Sequence, residues 1–235
     1  MSSDFKYKHK GPIENWHEGL MLGNGHIGAL IYGKDNLIFS LDMIDLWDNR
    51  LTSEMKEKGF NYQNMVKTLK NNWNEYLRLF DNCYNHSYPT KLNAGTIIFD
   101  EKIDKKSLFD INIKTANFYF KNIDNEIEGY IDYIDDIFVI YSKNNINFSF
   151  KMPDYLYQKE DGKGLGYKDF IEKEDGSYRY IIQETKCRYS YSIVTLKIPK
   201  EDGFLLLVTS VKSKDIYFEI EMAIKSLLLY SLNIS

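Results

Sequence analysis

Gly23, Gly25 and Gly28 stand in the Gly-x-Gly-x-x-Gly spacing that cradles a pyrophosphate when it follows a strand and opens a helix. Here a short apolar run bounded by glycines, residues 27–33, follows instead and reads as a buried strand. Dinucleotide binding is therefore excluded. The other chemistry-bearing residue types form no constellation in sequence. Cys83 and Cys187 cannot build a disulfide framework and lack metal-ligand spacing, so they read as two free thiols in a reducing cytosol. His9, His17 and His86 show no metal-ligand spacing either, and no metal or other cofactor is expected.

The glycines have a structural reading of their own. Gly23-Asn24-Gly25 can take positive φ at all three positions, which no β-branched residue could, and this predicts a sharp hairpin corner. Gly28, at the start of a strand, lets another backbone or a ligand come close, and Gly33 closes the strand.

The elements that must position this corner are mostly strands. After the turn Lys34-Asp35-Asn36, residues 37–41 resume as the second arm of a hairpin. Strands are expected at 96–99, 126–133, 137–141, 146–151, 178–183, 189–198 and 204–211. Phe109, Ile111 and Ile113 alternate with polar residues, then the phase slips to Phe118 and Phe120, which calls for a bulge or turn at Lys114–Ala116. Asp135-Asp136 reads as a solvated turn, and residues 158–176 as a long surface excursion. Two segments change period. Tyr62, Met65, Val66, Leu69, Trp73, Tyr76, Leu77 and Phe80 form one helical stripe over 61–81, with Trp73 as a core anchor. Ile220, Ala223, Ile224, Leu227 and Leu228 line a terminal helix from about Asp215. The fold class is mainly β: a large two-layer antiparallel β-sandwich with one internal amphipathic helix and a C-terminal linker helix.

Bulk properties fit a globular domain that needs no staples. The 235 residues carry 30 basic and 34 acidic side chains for a net charge of −4. No basic stripe could neutralise phosphates, so nucleic acid is not an expected partner. Aromatics make up 15% of the chain, which favours strands. The polar N-terminus lacks a secretory h-region and no run suits a membrane helix, so a cytoplasmic product without a membrane partner is expected.

The segment 16–33 resembles the opening of the N-terminal domain of glycoside hydrolase family 95, whose best-known activity is α-L-fucosidase. Trp16, Glu18, Leu20, Leu22, Gly23, Asn24, Gly25, Gly28, Ala29 and Gly33 match that opening in order and spacing, and Leu41, Leu46 and Trp47 match the element that follows. Weaker likenesses run on through Tyr88-Pro89 and Ala94-Gly95, residues 126–141 and residues 205–210. The Gly-Asn-Gly-x-x-Gly element is also similar, more distantly, to the family 65 phosphorylases. The resemblance implies a galactose-mutarotase-like supersandwich over residues 1–213 and an interdomain linker helix over 214–235. It also implies a partner, the catalytic (α/α)6 barrel that would carry the carboxylates and is missing from this chain.

That implies a non-catalytic domain supporting and bordering the barrel's active site, with no catalytic residue of its own. Two carboxyl groups normally flank the scissile glycosidic bond, and spacing nominates no such pair here. The resemblance makes Trp16, Glu18, Asn24, His26, Asp45 and Trp47 candidates for lining a sugar cleft, because indoles stack on sugar rings and Asn, Glu and His bond hydroxyls. Each has a local alternative: Trp16 and Trp47 as core, Glu18 as a partner of a backbone amide, Asn24 as a left-handed turn residue. His26 replaces the family's usual Arg, Met21 its Pro, and Asp42-Met43-Ile44-Asp45 its Asn-Glu-Asp-Thr. These departures imply a divergent branch acting on a glycoside other than fucoside. The competing readings are a free-standing carbohydrate-binding sandwich module and a mutarotase-like sugar epimerase, which would need a His or acid pair on a concave sheet face.

Overall fold

A computed structural model describes residues 5–157 and 164–234. The strands are β1 (Lys6–Lys10), β2 (Leu20–Gly23), β3 (Ile27–Tyr32), β4 (Asn36–Met43), β5 (Trp47–Asp48), β6 (Thr90–Lys91), β7 (Gly95–Lys102) and β8 (Leu108–Asn112). They continue as β9 (Asn117–Lys121), β10 (Glu126–Ile131), β11 (Phe138–Ser142), β12 (Phe148–Lys151), β13 (Ile171–Asp175), β14 (Tyr178–Glu184), β15 (Ser190–Lys200) and β16 (Gly203–Ser213). The helices are α1 (Tyr62–Asn71), α2 (Trp73–Tyr76) and α3 (Ile216–Asn233). A nine-stranded sheet runs β1-β8-β9-β10-β11-β16-β15-β14-β13, and a five-stranded sheet runs β12-β7-β4-β3-β2. Every pairing in both is antiparallel.

Alternation explains the first layer. In β4, Leu37, Phe39, Leu41 and Met43 are buried while Asn36, Ser40 and Asp42 face outward, so one face of the strand packs and the other is polar. Phe39 lies at the centre of the core between the sheets. Its ring meets Phe99 of its own sheet at 4.8 Å, and Phe118 and Phe138 of the other sheet at 5.2 Å each. The central strands β15 and β16 do not alternate: 191–196 and 205–210 are buried on both faces. The reason is α3, whose Ile216, Ile220, Ala223 and Leu227 pack on Val139, Val194 and Leu207 across the outer face of the nine-stranded sheet.

The hairpin turns fall where sequence chemistry places them, at 34–35 and at Lys114–Ala116, where Ala116 takes φ +54°. At Gly33 a Cβ would stand 2.0 Å from the Asn36 carbonyl oxygen, so only glycine fits.

Four expectations are corrected. The helix predicted over 61–81 breaks at Asn72, which leaves helical geometry (φ −151°, ψ 82°) and caps α2 by accepting from Glu75 N. A π-helical turn over Leu77–Asp81 follows and rotates the register, so Leu79 is buried while Trp73 is 56% exposed and stacks on Tyr76. Trp73 is no core anchor. The excursion over 158–176 lies outside the described residues at 158–163; beyond it Leu165 and Tyr167 are buried, and 171–175 is the edge strand β13. Leu228 of α3, expected on the packed face, is exposed.

Candidate functional site

The glycine corner is built around one side chain. Asn24 Oδ1 accepts from the backbone N–H groups of His26 (2.9 Å) and Ile27 (3.0 Å), and Asn24 N donates to Ile27 O (3.2 Å), which closes the β2–β3 hairpin. Only Gly25 in the triplet takes positive φ, at +96°. Gly23 and Asn24 do not, because the Asn24 side chain makes the turn that left-handed backbone would otherwise have to make. Gly23 pairs with Gly28 across the hairpin.

The same side chain reaches the other sheet. Asn24 Nδ2 donates to Asp132 O (2.9 Å) and to Asp136 Oδ1 (2.7 Å), both in the turn between β10 and β11. His26 Nδ1 lies 2.7 Å from Asp136 Oδ2, and its Nε2 lies 3.4 Å from Asp45 Oδ1. Asp135 is the exposed turn residue expected, whereas Asp136 is more than that: it sits at φ +52°, its carbonyl accepts from Thr209 Oγ1 (2.9 Å), and its carboxylate ties Asn24 to His26. Asp132 braces the turn by accepting from Ile134 N (2.8 Å), Asp135 N (2.9 Å) and the Tyr230 hydroxyl of α3 (2.8 Å). Burial pushes the Asp132 carboxyl upward, yet those bonds outweigh it and hold the group below its ordinary value. Burial and the bonds to Tyr130 and Asp132 push the Tyr230 hydroxyl far above the usual range.

Between this corner and α3 lies an open groove of about 440 Å³. His26, Asp45 and Asp136 line one side, Glu219 and Met222 of α3 another, and Lys212 from the end of β16 closes it by donating to the Asp45 carbonyl. The groove offers carboxylates, an imidazole edge, an ammonium and the hydroxyl of Ser210, so hydrogen-bond donors and acceptors converge on it. Searches against protein-family models and against curated proteins found no match.

Three of the six candidates, Asn24, His26 and Asp45, meet at this point. All four hydrogen-bonding capacities of the Asn24 amide are taken by the protein, so it shapes the site and has none left for a ligand. Trp47 follows on the loop that Ile44 N pins to His26 O (2.9 Å); its indole donates to Ile44 O (3.0 Å) and is 43% exposed. Trp16 and Glu18 sit at the opposite end of β2, roughly 20 Å of extended chain away. There Trp16 is 66% exposed with its ring edge on His17, and Glu18 accepts from the Asn15 amide at 3.3 Å. Neither tryptophan is core.

Beside Trp47 stands a group that sequence spacing does not reveal. Asp48 is fully buried and takes a two-pronged bond from Arg50, the Tyr167 hydroxyl (2.9 Å) and the Cys187 thiol (3.2 Å). Burial alone would raise its carboxyl, but the bonds from Arg50, Cys187 and Tyr167 prevail and hold it below its ordinary value. The Cys187 thiol is pushed up by burial and by Asp48. A carboxylate so saturated braces the Trp47 loop, which Tyr189 also holds through Trp47 O (2.8 Å).

Proposed function

We propose that this chain is the N-terminal, non-catalytic domain of a family 95-like glycoside hydrolase, a galactose-mutarotase-like supersandwich whose glycine corner borders the sugar cleft of an (α/α)6 barrel. The observation that carries this reading is the shared groove. The Gly23–Gly25 corner, which carries the likeness to that family, and α3, which stands where the likeness implies an interdomain helix, form facing walls of one cleft although His26 and Ser226 are about 200 residues apart in sequence.

Two further observations support it. The outer side of α3 exposes Phe218, Leu229 and Leu232 around Lys225, with Met222 at the groove edge, so the helix carries large apolar side chains on both sides, as a helix packed between two bodies would. The carboxylates of the corner are held by His26, and Asp48 is saturated, which suits support better than turnover.

The free-standing carbohydrate-binding module remains the second reading, favoured by the exposed Trp47 indole beside the corner. The sequence encoded after codon 235 separates the two. A reading frame continuing into paired amphipathic helices is the expected result; a frame that ends without a barrel overturns the domain reading, and a glycan-array screen of the purified chain then decides the module.

A further inference from the structure

A second cleft, of about 710 Å³, opens at the other end of β10, away from the glycine corner. Its floor is a row of three side chains on the outer face of the nine-stranded sheet. Glu128 of β10 pairs directly with Tyr119 of β9 on one side and with Tyr141 of β11 on the other. Their neighbours Phe118, Phe120, Ile127 and Ile140 point into the core, so alternation places all three outward. The β15–β16 turn and Ile234 form the walls.

The chemistry of this row is specific. Glu126, the next acid along β10, is occupied by Lys121 at 2.6 Å. Glu128 is exposed and, among the described residues, has no hydrogen bond or ion pair to its carboxylate. Both tyrosine hydroxyls are held above their ordinary value, first by burial and then by nearby groups that include the Glu128 charge. At the rim, carboxylates outnumber the amines of Lys143 and Lys200, and no cation–π contact among the described residues uses Tyr119 or Tyr141. Neighbouring strands lie about 4.8 Å apart, so the two tyrosines stand roughly 10 Å apart. A cation over Glu128 would then lie midway between the two strands that carry the tyrosines, a spacing of about 5 Å to each backbone that is compatible with the ~6 Å reach of a cation–π contact.

We propose that this row binds a small organic cation, an alkylammonium or guanidinium group seated over Glu128 between the two tyrosine rings. The cleft volume falls in the range of small-ligand sites, roughly 300–1,000 Å³. The proposal stands independently of the sugar cleft, which lies at the opposite end of the strand.

The test is an amide-resolved NMR titration with choline and with its neutral carbon isostere, in which a tert-butyl group replaces the trimethylammonium. Choline is expected to move amides of β9, β10 and β11 around Tyr119, Glu128 and Tyr141, with the isostere about tenfold weaker or worse. Glu128→Gln and Tyr141→Ala should each weaken choline by about tenfold. Glu128 is exposed, so the Glu128→Gln variant keeps the fold, which its melting curve verifies. Equal binding of the isostere, undiminished binding by folded Glu128→Gln, or no choline-dependent shift overturns the proposal.

Discussion

At the scale of single residues, the corner and its neighbour Asp48 separate shaping from contact. Asp48→Ala strands the Arg50 charge that the carboxylate neutralises, and should cost about 3 kcal/mol by urea denaturation. Because the folded value of Asp48 lies below that of an unfolded aspartate, about 3.9, its contribution is fully present above that pH. It is lost as pH falls through the folded value, so the stability gap between wild type and Asp48→Asn should hold at neutral pH and close in acid. Trp47→Ala should cost less than about 1 kcal/mol, against the 3–5 of a core tryptophan, because the indole is exposed. A melting shift of core size would return Trp47 to the interior. Asn24, His26 and Asp45 are candidates through a family resemblance, and the structure brings these three together while leaving Trp16 and Glu18 apart. Asp136 and Asp48 were not legible in the sequence: the Asn24 and His26 contacts of Asp136, and the Tyr167 and Cys187 contacts of Asp48, span 110 to 139 residues and exist only in the fold.

At the scale of elements, period predicted strands better than helices. The alternation of β4, β8 and β9 survives in the structure because each strand has one packed face. The stripe over 61–81 fails because a periodic apolar face says nothing about whether a partner surface exists; the segment folds largely on itself around Leu79 and Cys83. Gly33→Ala should destabilise more than Gly25→Ala. The first drives a Cβ into the Asn36 carbonyl, while the second meets open space and costs only its left-handed backbone, about 1–2 kcal/mol. Equal melting temperatures for the two variants would show that the β3–β4 turn is not held as described. On α3, Leu227→Ala should cost about 2–5 kcal/mol and Leu229→Ala under 1, which chemical denaturation resolves.

At the scale of the molecule, two antiparallel sheets of nine and five strands enclose one aromatic core, and α3 seals the outer face of the larger. All three tryptophans lie outside that core, with exposures of 66%, 43% and 56% for Trp16, Trp47 and Trp73. Native fluorescence should therefore already be solvent-like and shift little on unfolding; a blue native spectrum would contradict this arrangement. The two-layer class was legible from strand count and alternation, whereas the meeting of corner and α3 was not, because strand order cannot be read from period. The central claim is that this meeting forms a sugar-facing groove. Its most direct test is an amide-resolved titration of the chain with a panel of monosaccharides at millimolar concentration. The account predicts shifts gathered at His26, Asp45, Trp47, Asp136 and Lys212 for at least one sugar, and their loss in His26→Ala. Shifts confined to other surfaces, or none with any sugar, would contradict it.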